Sequence, residues 1–351
     1  MRKIENYEFI NYKGEKRKIN LNCKNNYQEV ISDLSRKILN EEKLKEIKED
    51  RREYIEKNNL KEKYNEEYEF IKDEERIKEL VDKNFAKDFL MDNPKDGGNV
   101  VLVMGMNPGG GNKIVNSKGT EKKLLFLQYL NEEEEKNIKA LGGKIFWPYH
   151  KANFKLFEGI KAKAHWEEEG YLTEQDIREM LEFAEKDGIN LLEKKLETIK
   201  QMLERSKTAE KENVYVLFSD LIWYCDGNQA NIESSVTKNI TKEEKNGKDT
   251  KEKLELQKKK DENFYEIIRK IIKLHIQYHE PKLIVITNAK ASHWVEEALR
   301  NEEENENRKY KDVVYYNGVP IILASMVSGQ RAMDTFSQER LKERIEKLYT
   351  K

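Results

Sequence analysis

Apolar positions are spread unevenly along the chain, and four short runs stand out. They are Asn99 to Met104 (NVVLVM), Val214 to Phe218 (VYVLF), Leu283 to Thr287 (LIVIT) and Val319 to Ala324 (VPIILA). Each is rich in β-branched residues and nearly continuously apolar, as strands of a sheet covered on both faces are. A fifth candidate, Asp312 to Tyr316, precedes Asn317-Gly318. That dipeptide favours a two-residue hairpin turn, so this strand is expected to pair with the one after it.

Elsewhere the apolar residues recur at helical spacing. Tyr27 to Leu39, Tyr68 to Phe89, Thr173 to Arg205, Asn263 to His279 and Ala291 to Arg300 read as helices, and a helix-like pattern resumes from Gln338. Strand and helix alternate, which predicts an α/β fold. The expected form is a three-layer sandwich around a central, mostly parallel sheet of four or five strands. Residues 1–90 would be a helical N-terminal extension or cap, with a partner-binding arm as the alternative. Residues 91–351 would form the α/β domain, with charged helical insertions near 112–145, 160–210 and 237–262. The last of these, Thr237 to Glu262, is so rich in Lys and Glu that it can add little to a core. It reads as a surface excursion, or more sharply as a contact for a DNA backbone. In sheets of this kind ligands bind beyond the carboxyl ends of the strands.

Charge narrows the classes. Lys+Arg 66 nearly cancels Asp+Glu 67, so a polyanion would need a local patch rather than a global field. Cys23 and Cys225 form no CxxC, and the five histidines show no ligand spacing. Neither a metal nor another cofactor is expected. The N-terminal stretch lacks a sustained apolar core, and no run of about 18 apolar residues appears. A cytoplasmic protein with no membrane partner, monomeric, is the expectation.

Three strand ends carry the candidate chemistry. The first reads Gly105-Met106-Asn107-Pro108-Gly109-Gly110-Gly111. It lacks the Lys-Ser/Thr of a P-loop and the register of a dinucleotide fingerprint. Pro108 stiffens the turn and pushes Asn107 toward extended geometry, which would project one amide over the strand end. The second is Ser219-Asp220-Leu221-Ile222-Trp223-Tyr224. There Asp220 would line a pocket, cap a helix or belong to a buried ion pair. The third, Ser325-Met326-Val327-Ser328-Gly329-Gln330-Arg331, is small and polar and ends in a cation. It is either an anion-binding loop or an ordinary connection.

Together, and in this order, the three ends resemble the uracil-DNA glycosylase superfamily. GMNPGG is similar to the GINPG motif of its mismatch-specific thymine- and uracil-DNA glycosylase branch. Ser219 to Ile222 falls where relatives carry Thr-Asn-Leu-Val, and Ser325 to Arg331 where the branch carries a loop such as NPSGLSR or MPSSSAR. Trp147-Pro148-Tyr149-His150 resembles the PYH of the uracil enzymes, which makes Tyr149 a candidate pocket wall. The resemblance covers roughly residues 97–351. The histidine common at the start of the last loop is replaced by Ser325, and its proline by Met326.

The resemblance implies a monofunctional DNA glycosylase that flips a base, hydrolyses its glycosidic bond and leaves an abasic site. Asn107 would hold the attacking water. Gly105, Met106 and Gly109 would meet the base, with Asp220 reading its edge. Ser325, Ser328, Gly329, Gln330 and Arg331 would meet the DNA. An ionised Asp only accepts hydrogen bonds, which favours the amino group of a cytosine-type base over uracil. Unmodified cytosine must be spared, so a modified cytosine is expected, with Gly109 to Gly111 leaving room for the substituent. Anti-phage glycosylases of this superfamily act on glucosylated hydroxymethylcytosine in phage DNA, the leading expectation here. The alternatives are a repair glycosylase for uracil or mismatched thymine, a non-catalytic nucleic-acid-binding module, and a nucleotide-processing α/β enzyme.

Overall fold

The computed structural model describes residues 7–11, 13–20, 24–85, 99–106, 153, 155–157, 159–160, 163–164, 214–224, 226, 228–306, 308–327 and 333–350. Its contacts divide the chain into two compact units. One comprises Leu90–Gly105, Gly119–Ser219 and His279–Lys351; the other comprises Met1–Phe89, Met106–Lys118 and Asp220–Tyr278. The element labels below cover the described residues.

The first unit is built on a mixed sheet. Its strands are β3 (Asn99–Gly105), β4 (Lys163–Ala164), β5 (Val214–Asp220), β6 (Leu283–Thr287), β7 (Val313–Tyr316) and β8 (Val319–Ala324), in the order β4-β5-β3-β6-β8-β7. The five expected strands are present, and the two-residue β4 adds a sixth at one edge. β3 pairs parallel with β6, and β6 pairs parallel with β8. β7 runs antiparallel to β8 across the expected hairpin. Asn317 and Gly318 both take positive φ, 52° and 77°, as a tight two-residue hairpin turn demands. All five residues of β6 are buried, so both faces of this strand are covered, as in an α/β sandwich. Helix α8 (Ala289–Leu299) packs on β6, β7 and β8, burying Ala291, Trp294, Val295 and Ala298. Helix α9 (Thr335–Tyr349) buries Leu341, Ile345 and Leu348, an i, i+4, i+7 stripe, and contacts β6 and β8.

The second unit is mostly helical. A two-stranded hairpin, β1 (Tyr7–Ile10) and β2 (Lys16–Ile19), precedes α1 (Lys24–Ile38) and α2 (Glu41–Lys57). The pattern from Tyr68 onward resolves into two helices, α3 (Asn65–Ile71) and α4 (Glu74–Asn84). Asp73 separates them, and its carboxylate caps α4 by accepting from the backbone of Arg76. Ile55, Ile71, Ile77 and Leu80 form a buried cluster among α2, α3 and α4. Past Asp220 come α5 (Gln229–Ser235), α6 (Lys242–Lys245) and the 30-residue α7 (Thr250–His279).

Two features of this unit bear on the sequence reading. The charged segment from Thr237 to Glu262 folds back on itself. Lys260 Nζ donates to the carbonyls of Thr237 and Asn239 and to Glu244, and Gln257 donates to the Lys238 carbonyl. Polar side chains thus do the ordering that apolar burial does elsewhere. The described N-terminal helices, for their part, are packed against residues beyond β5. Asn40 N–H donates to the Ser235 carbonyl and Thr237 N–H to that of Ile38, both at 2.7 Å. Lys48 pairs with the buried Asp226 at 3.0 Å. Tyr27 of α1 lies 2.7 Å from His275 Nδ1 of α7 and stacks on Tyr278 with ring centroids 4.2 Å apart.

Candidate functional site

The carboxyl ends of β3, β6 and β8 lie level along one edge of the sheet. Met104 is in register with Ile286, and Thr287 with Ala324. Gly105, Asn288 and Ser325 therefore leave the sheet at the same edge, where ligands of α/β folds bind. The exits after β6 and β8 are fixed by local bonds. Asn288 caps α8 by accepting from the N–H groups of Lys290 and Ala291. Ser292 Oγ donates to the Ala324 carbonyl at 2.7 Å, just before the partly buried Ser325. Met333 N–H donates to the Met326 carbonyl at 2.8 Å.

The turn after β5 is held at three points, all within the helical unit. Ile222 N–H donates to the Met106 carbonyl at 2.8 Å, so the turn carrying Asp220 is tied to the residue that precedes Asn107. Trp223 N–H donates to Ser35 Oγ at 2.8 Å, and Ser35 in turn donates to the Ile31 carbonyl of α1. The Trp223 indole N–H donates back to the Asp220 carbonyl at 3.1 Å. Leu221, Ile222, Trp223 and Tyr224 are all fully buried. Phe85 packs edge-on against Tyr224, and the Arg36 guanidinium lies over the Phe85 ring.

Against this fixed backbone, the Asp220 side chain is conspicuous. Asp220 is the last residue of β5, no helix starts at it, and its carboxyl makes no hydrogen bond or ion pair among the described residues. Burial raises the carboxyl well above the usual carboxylate range. Desolvation thus disfavours the ionised form, on which the reading of Asp220 as an accept-only group depends. The neighbouring Ser219 points to the opposite face, where its Oγ is buried without a hydrogen-bond partner among the described residues.

Of the other expected site residues, Gly105 and Met106 are buried at the end of β3. Asn107, Gly109, Tyr149, Ser328, Gly329, Gln330 and Arg331 lie outside the described residues, as does the helix expected over Thr173 to Arg205. Ser35 escaped the sequence reading, as did its bond to Trp223 and the tie from Ile222 to Met106. A serine inside a helix and two apolar residues after a strand carry no signal until the fold brings them together. Among the described residues, no group of three or more His, Cys, Asp or Glu is placed to hold a metal, and no helix is long and apolar enough to cross a membrane. No family model matches this chain, and no curated protein or solved structure matches it either.

Proposed function

We propose that this protein is a DNA glycosylase. It hydrolyses the glycosidic bond of a flipped, modified base, with glucosylated hydroxymethylcytosine of phage DNA as the leading substrate, and leaves an abasic site. The observation that carries the reading is the 2.8 Å bond from Ile222 N–H to the Met106 carbonyl. It couples the turn that bears Asp220 to the start of the GMNPGG turn, as a site shared by those two motifs requires. The Asp220 carboxyl, which has no partner among the described residues, supports the same reading, because unpaired buried polar groups are often ligand groups.

In this reading Asn107 orients the water, its amide both donating and accepting. The base leaves as the sugar takes on oxocarbenium character. Ser325 and the segment through Arg331 hold the phosphates on either side of the extruded nucleotide.

The test is direct. DNA carrying glucosylated hydroxymethylcytosine, and matched DNA carrying uracil or a T:G mismatch, is incubated with the protein and then with alkali. Breaks at the modified cytosine support the proposal. Breaks only at uracil or mismatched thymine would make it a repair glycosylase. DNA binding without breaks in any substrate would leave a non-catalytic binding module.

A further inference from the structure

Helix α9 leaves one large side chain out of its packing. The helix contacts β6 and β8 and buries Leu341, Ile345 and Leu348. Phe336 stands five residues before Leu341, about 140° round the helix from that stripe. Its ring is 82% exposed, and no other large apolar side chain among the described residues is as open. A single exposed apolar residue is ordinary by itself. The mounting of Phe336 and its neighbour are what set it apart.

The turn that carries the ring is braced. Asp334 caps α9, its carboxylate accepting from the Ser337 N–H at 2.9 Å and from the Ser337 Oγ at 2.8 Å. Gln338 Nε2 donates to the Met333 carbonyl at 3.0 Å, and Met333 N–H donates to that of Met326, just past the end of β8. The first turn of α9 is thus fixed to the strand exit at the edge of the sheet where ligands bind. Arg340, four residues after Phe336, lies on the same helix face and is exposed. It reaches back to donate to Ser337 Oγ at 3.0 Å, so ring and guanidinium are presented by the same turn. Of the acids nearby, Glu339 is paired with Lys342 at 2.9 Å, and Asp334 sits on the cap, where the helix dipole offsets its charge.

We infer that Phe336 stacks on an unpaired base of the bound DNA, with Arg340 against an adjoining phosphate. The inference rests on the glycosylase reading for its partner and adds to it a preference for DNA whose bases have left the double-helical stack. A nucleotide offers a flat aromatic face beside a phosphate, and a flat ring beside a guanidinium matches both. Within a duplex each base face is covered by its neighbours, so a ring on a helix meets one only where stacking is broken. Single-stranded DNA offers such a face at every residue. A protein partner would bury the ring in an apolar pocket, and the exposed cation beside it would gain little there. The pairing of ring and guanidinium therefore favours the nucleotide.

The experiment measures binding of the full-length protein to single-stranded oligothymidine, to the same strand made abasic, and to a duplex of equal length. Base release from DNA carrying glucosylated hydroxymethylcytosine is followed in parallel. Wild type should bind the single strand more tightly than either the abasic strand or the duplex. Phe336→Ala, a change on the surface that spares the core, should weaken binding to the single strand about 5–100-fold and to the abasic strand by less than about twofold. Phe336→Trp keeps a stacking face and should bind like wild type. Arg340→Gln should lower the salt dependence of binding by about one counterion, while Phe336→Ala leaves it unchanged. Equal binding of the single strand by wild type and Phe336→Ala would overturn the inference, and base release by wild type would still uphold the glycosylase reading. Binding that depends on Phe336, with no base released by wild type, would keep the contact and sink the glycosylase reading. Failure of wild type to bind any of the three DNAs would overturn both.

Discussion

Asp220 is expected to cost the protein stability. The folded state holds its proton more tightly than the unfolded chain does, because burial raises the folded pKa. Between the two pKa values the folded state binds more protons, so stability falls as pH rises. Asp220→Asn removes this dependence. The variant should be at least as stable as wild type at neutral pH, with its advantage growing upward from about pH 4. Thermal melts of both proteins across pH check this, and a variant less stable at every pH would mean that the carboxyl makes a stabilising contact. His275 works in the opposite direction. It is buried beside Tyr27 with its pKa lowered to about 3 by desolvation. The unfolded chain then binds more protons between about pH 3 and 6.5, so this contribution to stability is lost as pH falls through that window. Urea midpoints for wild type minus His275→Gln should shrink as pH drops through the same window. A constant difference would contradict a buried neutral imidazole.

At the scale of elements, the strands were legible and the supports of the site were not. Continuous β-branched runs placed β3, β6 and β8, and Asn317-Gly318 placed the hairpin, because each signal is local. The break between α3 and α4 was harder to see. The apolar period continues through it, and only the capping side chain of Asp73 marks it. The start of α7 was hidden because its first half is held by Lys260 and Gln257 rather than by apolar burial. Ser35 is the clearest case, as its role depends on a partner 188 residues away. Replacing Ser35 with Ala leaves the buried Trp223 N–H without its acceptor. A loss of about 1–3 kcal/mol is expected by chemical denaturation. Base release should slow as well, because the turn bearing Asp220 loses an anchor. Lowered stability with unchanged release would detach Ser35 from the site.

At the scale of the whole molecule, residues 220–278 group by contact with the N-terminal helices rather than with the sheet they follow. Sequence alone cannot reveal such grouping, since it rests on side chains far apart in the chain, such as Tyr27 with His275 and Lys48 with Asp226. It has a consequence for residues 1–85. If they support the Asp220 turn, deleting them should abolish base release and expose the apolar faces of Trp223 and Tyr224. Soluble, active protein after that deletion would make them a dispensable arm.

Under the proposed function, release of a base from DNA depends on Asn107. The most direct measurement is mass spectrometry of the small molecules freed from glucosylated phage DNA by wild type and by Asn107→Ala. The intact modified base is expected with wild type and little or none with Asn107→Ala, while both proteins bind the DNA. No free base with wild type, or equal release by Asn107→Ala, would contradict it.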